Sequence, residues 1–388
     1  MKVVHIITAL HAEGAQTMLY NLLSRMERSR FEPSVVSLSN RGILADKLAR
    51  ISVPVYPIDM KPSHPTLGAV IRLVRKIRQI KPDVIQGWMY HGNLAAQLGA
   101  ALAPMPVPVL WNIRGSHYRL KDEKPLTAAT IWMNARLSAW PAKIINNSAA
   151  SALGHEQKLG YRADKRVIIP NGFDTSLFVP SAEARRSVRG ELGLNDDAFL
   201  IGLVARFDPL KDHLGFLNAA AILLRKDPNI HFVLAGRGVD KTNSVISEAV
   251  ARLGFEKQLH LLGDRSDIPR LLSAVDIATL SSYSEGFPNV IGEAMSCEVP
   301  CVVTDVGDTA WLVGDTGFVV SPRDPNALAA AWHELIVLGA EDRRKLGQRA
   351  RKRIIDNFSI DHIARQYEAI YEQVYFGSGR TATIECAE

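Results

Sequence analysis

Short apolar runs rich in β-branched residues alternate with helix-period segments along most of this chain. In the first half, "VVHIIT", "PSVVSLS", "DVIQGW", "VPVLWNIR" and "KIINN" predict buried strands. Helical periodicity lies between several of them, as over Leu67–Ile80 and Leu94–Leu102. The second half repeats the scheme with "FLIGLVAR", "IHFVLAG", "QLHLLG", "VDIATLSS" and "VPCVVT". Strand alternating with helix predicts parallel sheets covered by helices on both faces, an α/β architecture. The two series meet near "IPNGFDTSLFVPSAEARRS", where Asn171-Gly172 is a turn signal and Pro180-Ser181 opens a polar stretch. This predicts a first domain over residues 1–182 and a second over 183–360, each doubly wound. A last helical pattern covers 361–376, with Ile363, Tyr367, Ile370, Tyr371 and Val374 in phase; 377–388 reads as a disordered tail. Doubly wound sheets bind ligands at the carboxyl ends of their strands, so the expected site is a central cleft faced by both domains.

Composition narrows the class. A chain of 388 residues, 47% hydrophobic and 22% charged, is long for one core and typical of globular proteins. Its longest apolar stretch, Leu94–Trp111, contains Gln97 and three prolines (Pro104, Pro106 and Pro108), which excludes an unbroken spanning helix there. "MKVVHIITAL" carries one Lys and places His5 inside its apolar run, the pattern of a buried first strand rather than a secretion signal. Three cysteines without disulfide or zinc spacing fit a reducing cytoplasm. The net charge of +6 conceals an asymmetry. Residues 1–180 hold 23 Lys+Arg against 11 Asp+Glu, net +12; residues 181–388 hold 23 against 29, net −6. A basic half beside an acidic half predicts that the basic half meets something anionic.

Candidate chemistry gathers in the second half. In "YSEGFPNVIGEAM", Glu285 stands before a predicted helix start and Glu293 two turns into it. Pro288 suits the first helical position, and the free N–H groups of the turn that follows make an anion or hydroxyl site. Two carboxylates so placed can hold separate hydroxyl sets of one elongated sugar-containing ligand; a solvated helix start with one acid complementing the dipole is the bland alternative. In "LVARFDPLKDH", Arg206 falls at a strand end and Lys211 in the loop beyond, a diphosphate clamp unless Asp208 and Asp212 simply pair with them.

These residues resemble the signature of family-4 retaining glycosyltransferases of the GT-B fold. "SEGFPNVIGEAM" looks like that family's paired-glutamate motif, "ARF" with Lys211 like its Arg/Lys pair, "IIPNGFD" like its domain junction, and "EGAQTMLYNL" like its N-terminal glycine loop. The resemblance implies two Rossmann-like domains, with 1–182 on the acceptor side and 183–360 binding a UDP- or GDP-sugar. It also implies that 361–376 crosses back to the first domain. On it, Glu293 holds the ribose, and Glu285 with the backbone of Gly286, Phe287, Pro288 and Asn289 holds the transferred sugar. Arg206 and Lys211 neutralise the departing diphosphate. His117 in "NIRGSHYRL" contacts the donor sugar near the reacting centre, Arg265 in "LLGDRSDIP" lies near the base, and Gly14 allows close backbone approach. Arg114 and His91 are weaker acceptor candidates. The first loop departs from the family, since "HAEGAQ" has Glu13 at one glycine position and Gln16 in place of an acid. The cationic clamp, with no Asp-x-Asp in a suitable loop, implies metal independence and no cofactor beyond the nucleotide-sugar substrate.

The expected partners are that donor and a glycan or polyprenyl-diphosphate-linked acceptor, as in bacterial surface polysaccharide, lipopolysaccharide or glycolipid assembly. "TLGAVIRLVRKIRQIKPD" combines an apolar stripe with Arg72, Arg75, Lys76, Arg78 and Lys81. It reads first as a surface helix packed on the sheet and second as a peripheral contact with an anionic membrane, on its cytoplasmic face. Nucleic acid is not expected, because no aromatic-interleaved basic stripe or reader motif occurs. Two rivals stand beside the transferase: a nucleotide-sugar epimerase of the same fold, which needs no acceptor, and a non-catalytic sugar-binding protein, which has no use for the clamp.

Overall fold

A computed structural model describes residues 1–11, 14–61, 66–115, 120–195 and 197–377, apart from the side chain of Asp122. The chain forms two compact units, Met1–Gly172 with the segment from Ile360 onward, and Phe173–Ser359. It leaves the first unit at Gly172, earlier than the predicted break, because Phe173 already belongs to the second. The Phe173 ring fills the space beside Gly292, and Arg351 donates to the carbonyls of Phe178 (2.9 Å) and Thr175 (3.1 Å). Ser181, at the break read from sequence, is instead the N-cap of the next helix, accepting from the Ala184 N–H (3.1 Å).

In the first unit the order is β1 (Lys2–Ile7), α1 (Gly14–Arg25), β2 (Glu32–Ser37), α2 (Leu44–Arg50), β3 (Val55–Pro57) and α3 (Leu67–Ile80). Then come β4 (Val84–Trp88), α4 (Met89–Leu102), β5 (Val109–Ile113), α5 (Pro125–Leu137), β6 (Lys143–Asn146), α6 (Ala149–Leu159) and β7 (Arg166–Ile168). The strands pair in parallel in the order β3-β2-β1-β4-β5-β6-β7. β4 and β5 are buried throughout, as central parallel strands covered on both faces must be. α3 is capped by Thr66, whose hydroxyl accepts from the Ala69 N–H (3.2 Å), and it stops where Lys81 turns left-handed.

The second unit runs α7 (Ala182–Glu191), β8 (Phe199–Val204), α8 (His213–Leu224), β9 (Ile230–Ala235), α9 (Ser244–Leu253), β10 (Leu259–Leu261), α10 (Ile268–Ala274) and β11 (Ile277–Leu280). It continues with α11 (Asn289–Ser296), β12 (Cys301–Thr304), α12 (Thr309–Val313), β13 (Gly317–Val320), α13 (Pro325–Val337) and α14 (Ala340–Phe358). The sheet is parallel, in the order β10-β9-β8-β11-β12-β13. The last helix, α15 (Ile360–Gly377), belongs to the first unit. Its Ile360, Ile363, Tyr367, Tyr371 and Val374 join the core under α1, with Met18, Leu22 and Trp88. Residues 378–388 lie outside the described residues.

Candidate functional site

In the second unit the strand order reverses between β8 and β11: the chain winds outward through β9 and β10 on one side and through β12 and β13 on the other. The loops after these two strands therefore flank the switch point, where doubly wound sheets take ligands. Lys211 comes from the first loop and Glu285 from the second, and they form a half-buried ion pair, Nζ to Oε1 2.5 Å. Ser282 Oγ donates to the same carboxylate (2.6 Å). The loops are stitched through their backbones as well: Ser281 Oγ donates to the Lys211 carbonyl (2.8 Å), and the Tyr283 N–H to the Leu210 carbonyl (2.8 Å). Asp212, in a left-handed conformation with φ 49°, caps α8 by accepting from the Gly215 N–H (2.9 Å). Burial and the hydrogen bond to Asp212 push the Tyr283 hydroxyl up to about 12. Arg206 is exposed and pairs with Asp208 (3.0 Å) at the rim of the same loop. A cation is thus held by an acid at a strand-end switch point, an arrangement suited to exchange that acid for a ligand's phosphates.

α11 begins one residue later than expected. Pro288 is its N-cap, at φ −83° and ψ 100°, and Asn289 is the first helical residue, so the ring fixes the entry rather than the first turn. Pro288 itself supplies no side-chain cap to this end. Phe287 turns its ring into the core, against Phe173 (6.1 Å) and Phe358 (6.0 Å), so only its backbone can serve a ligand. Glu293, half-buried within α11, accepts no hydrogen bond from the described residues, and burial pushes its carboxyl up to about 7. Behind the loop, Gly307 at φ +58° packs so closely that a Cβ would lie 2.4 Å from the Glu285 carbonyl oxygen. The Asp308 N–H donates to the Gly286 carbonyl (3.1 Å). Arg265 pairs with Asp267 (2.5 Å) and Glu191 (3.3 Å), in a surface network that includes Arg270.

Ser282, Asp212 and Gly307 escape motif reading. Asp212 had a signal, an acid directly before an apolar helix; Ser282 acts on Glu285 from within the same loop, and Gly307 matters only through its contact with that loop.

In the first unit the sheet reverses between β1 and β4. Gly14 opens α1 in the connection after β1, and His91 lies in the first turn of α4 after β4, held below its ordinary value by burial. Arg114, just beyond β5, is committed to structure. It donates to the Tyr367 hydroxyl (2.6 Å), to Asn112 Oδ1 (3.2 Å) and to Asn171 Oδ1, fastening α15 to the sheet. His117 lies outside the described residues. No three His, Cys, Asp or Glu side chains among the described residues cluster as a metal site.

Known proteins match this chain along both units. The family described as "Glycosyltransferase Family 4" matches residues 12–177, and "Glycosyl transferases group 1" matches 184–353. The chain is similar to the UDP-Gal:alpha-D-GlcNAc-diphosphoundecaprenol alpha-1,3-galactosyltransferase of Escherichia coli, 26% identical with 76% of each chain covered. It is likewise similar to the D-inositol 3-phosphate glycosyltransferase of Corynebacterium efficiens, 25% identical over 88% of this chain and 89% of the other. Among solved structures, Anabaena Alr3699/HepE in complex with UDP superimposes with a TM-score of 0.83 at 23% identity, covering 96% of this chain and all (100%) of that one. A glycosyltransferase from Rickettsia africae reaches 0.79 at 17% identity, over 96% and 98%. With one family matched by each half and the same fold throughout, the chain belongs to the family-4 glycosyltransferases of the GT-B fold and is a transferase enzyme.

Proposed function

We propose that this enzyme moves a hexose from a UDP-sugar onto a glycan or polyprenyl-diphosphate-linked acceptor, with retention of anomeric configuration and without a metal ion. The observation that carries the reading is the Lys211–Glu285 pair at the switch point of the second unit, with Arg206 beside it. UDP fits as the nucleotide because it is bound in Alr3699/HepE and names the donor of the E. coli relative; the diphosphoundecaprenol acceptor of that relative suggests the acceptor class.

In the proposed reaction the diphosphate displaces the Glu285 carboxylate from Lys211, and Arg206 exchanges Asp208 for a phosphate oxygen. Glu285, released, accepts from hydroxyls of the transferred sugar together with the N–H groups at the start of α11. Glu293 takes the ribose diol as a carboxylate. Negative charge grows on the leaving UDP as the glycosidic bond breaks, so the two cations act most strongly in the transition state. The acceptor hydroxyl attacks on the face the UDP leaves and gives up its proton to a departing phosphate oxygen.

The test is transfer from UDP-hexoses to a polyprenyl-diphosphate-linked sugar, with EDTA added and the product anomer read by NMR. Lys211→Ala should lower kcat by about 100-fold or more while KM for the donor changes little. Equal loss in kcat and in donor binding would refute the clamp; turnover of donor without acceptor would return the epimerase reading.

A further inference from the structure

Two residues of the second unit, neither of them glycine, take left-handed backbone conformations and meet the same tyrosine. Asp212, at φ 49°, follows Lys211 directly; Arg323, at φ 63°, lies three residues beyond β13. Such conformations are costly for residues with a Cβ, persist only where the surroundings hold them, and gather at functional sites. Asp212 is held from two sides. Its carboxylate accepts from the Gly215 N–H (2.9 Å) and from the Tyr283 hydroxyl. Position 215 has to be glycine, because a Cβ there would lie 2.1 Å from the Asp212 carboxylate. Tyr283 comes from the loop after β11, two residues before Glu285, and its own N–H donates to the Leu210 carbonyl (2.8 Å), next to Lys211. Arg323 lies over the face of the half-buried tyrosine ring, its guanidinium carbon 4.6 Å from the centre. It reaches there from β13, two strands away from β11 in the sheet. Its backbone is fixed by the start of α13, where the next residue, Asp324, accepts from the Ala327 N–H (2.9 Å).

Building on the clamp role given to Lys211 above, we propose that Tyr283 and Arg323 are positioning residues for the transfer. Arg323 orders the Tyr283 ring, the Tyr283 hydroxyl holds Asp212, and Asp212 sets the place of Lys211. In the free protein two side-chain pairs tie the loops after β8 and β11, Lys211 with Glu285 and Asp212 with Tyr283. When a diphosphate takes Lys211 from Glu285, the first of these ties is lost. The second then keeps the ammonium group on the phosphates. Its effect grows with the charge on the leaving group, so it serves the transition state and the UDP product more than the bound donor. Arg323 is exposed, where a cation–π contact is modest, so it acts by ordering the ring rather than by a large attraction of its own.

The test is UDP binding by calorimetry and steady-state transfer in Tyr283→Phe, Arg323→Ala, Arg323→Lys and Tyr283→Phe/Arg323→Ala, with Lys211→Ala as reference. Tyr283→Phe should weaken UDP binding and lower kcat by about tenfold each, while KM for the donor stays within about twofold. Its melting temperature without UDP should fall by no more than about 2 °C. Arg323→Ala should lose about threefold in both, and Arg323→Lys should recover most of that. The double variant should be no weaker than Tyr283→Phe, because the arginine acts through the hydroxyl. Losses that multiply in the double variant, or a KM that rises when Arg323 is removed, place the arginine on the nucleotide sugar itself and overturn the proposal. So does unchanged UDP binding in Tyr283→Phe while Lys211→Ala weakens it. If Lys211→Ala leaves UDP binding and kcat intact, Lys211 is no clamp and there is nothing for Tyr283 to position. Should Tyr283→Phe melt early, Arg323→Ala decides alone: UDP affinity and kcat equal to those of the parent refute the role.

Discussion

Glu293 should make the second unit less stable as pH rises, and Glu293→Gln should remove the effect. Burial moves this carboxyl from its ordinary 4.5 to about 7 in the folded chain. A tenfold displacement of an acid's dissociation corresponds to about 1.4 kcal/mol, so the folded state is disfavoured by up to about 3 kcal/mol once both states are charged. The sign follows from proton binding. Below 4.5 the acid is neutral in both states and costs nothing. Between 4.5 and 7 the unfolded chain ionises while the folded one does not, so stability is lost steadily; above 7 the loss is constant. Glutamine keeps the shape and drops the titration. Melting curves of both proteins from pH 5 to 8.5 should diverge with pH, the variant ending about 6 °C higher. On the proposed role of Glu293 in holding the ribose, UDP should narrow the gap, because hydroxyls donating to the carboxylate favour its charged form. A difference between the two proteins that stays flat from pH 5 to 8.5 refutes the reasoning, since burial would then not be holding the proton.

Other outcomes follow from packing. Gly292→Ala places a Cβ 2.0 Å from the Phe173 ring and should destabilise by about 2 kcal/mol, read as a lower urea midpoint. Gly307→Ala, at φ +58° and against the Glu285 carbonyl, should lower the melting temperature and weaken UDP binding together, measured by calorimetry. Arg189, buried and paired with Asp276 (2.7 Å), should cost about 1–3 kcal/mol when changed to Met, because the Ala274 and Ala198 carbonyls lose their donor while Arg185 (2.6 Å) keeps the acid paired.

The central strands were legible because buried parallel strands read as unbroken apolar runs, as in Val84–Trp88 and Cys301–Thr304. The edge strands β3, β7 and β13 were not, for they are three or four residues long and only partly buried. The Glu285–Glu293 spacing was visible because both lie within one loop and helix. What binds Glu285 in the free protein was less visible: Ser282 bonds it from three residues away, but Lys211 reaches it only because β8 and β11 are neighbours in the sheet, and adjacency of strands distant in sequence leaves no local mark. The basic stripe of α3 reads first as a surface helix packed on the sheet, and Ala69, Leu73 and Ile77 are buried in that way; where its cations go is another matter. Periodicity shows which residues share a helix face but not which carbonyls their guanidinium groups will meet, and Arg72 and Arg78 meet their own unit's.

The second unit interrupts the first, entering at Phe173 and leaving at Ser359, with the Phe173 N–H bonded to the Phe358 carbonyl (2.8 Å) where the two passages meet. On the ribosome the first unit is therefore made early but finished last. Its sheet waits, with the ground beneath α1 uncovered, until Tyr367 and Tyr371 have been translated. A nonsense codon shortly after Ser359 would spare every residue of the inserted unit and still leave the amino-terminal one without part of its core.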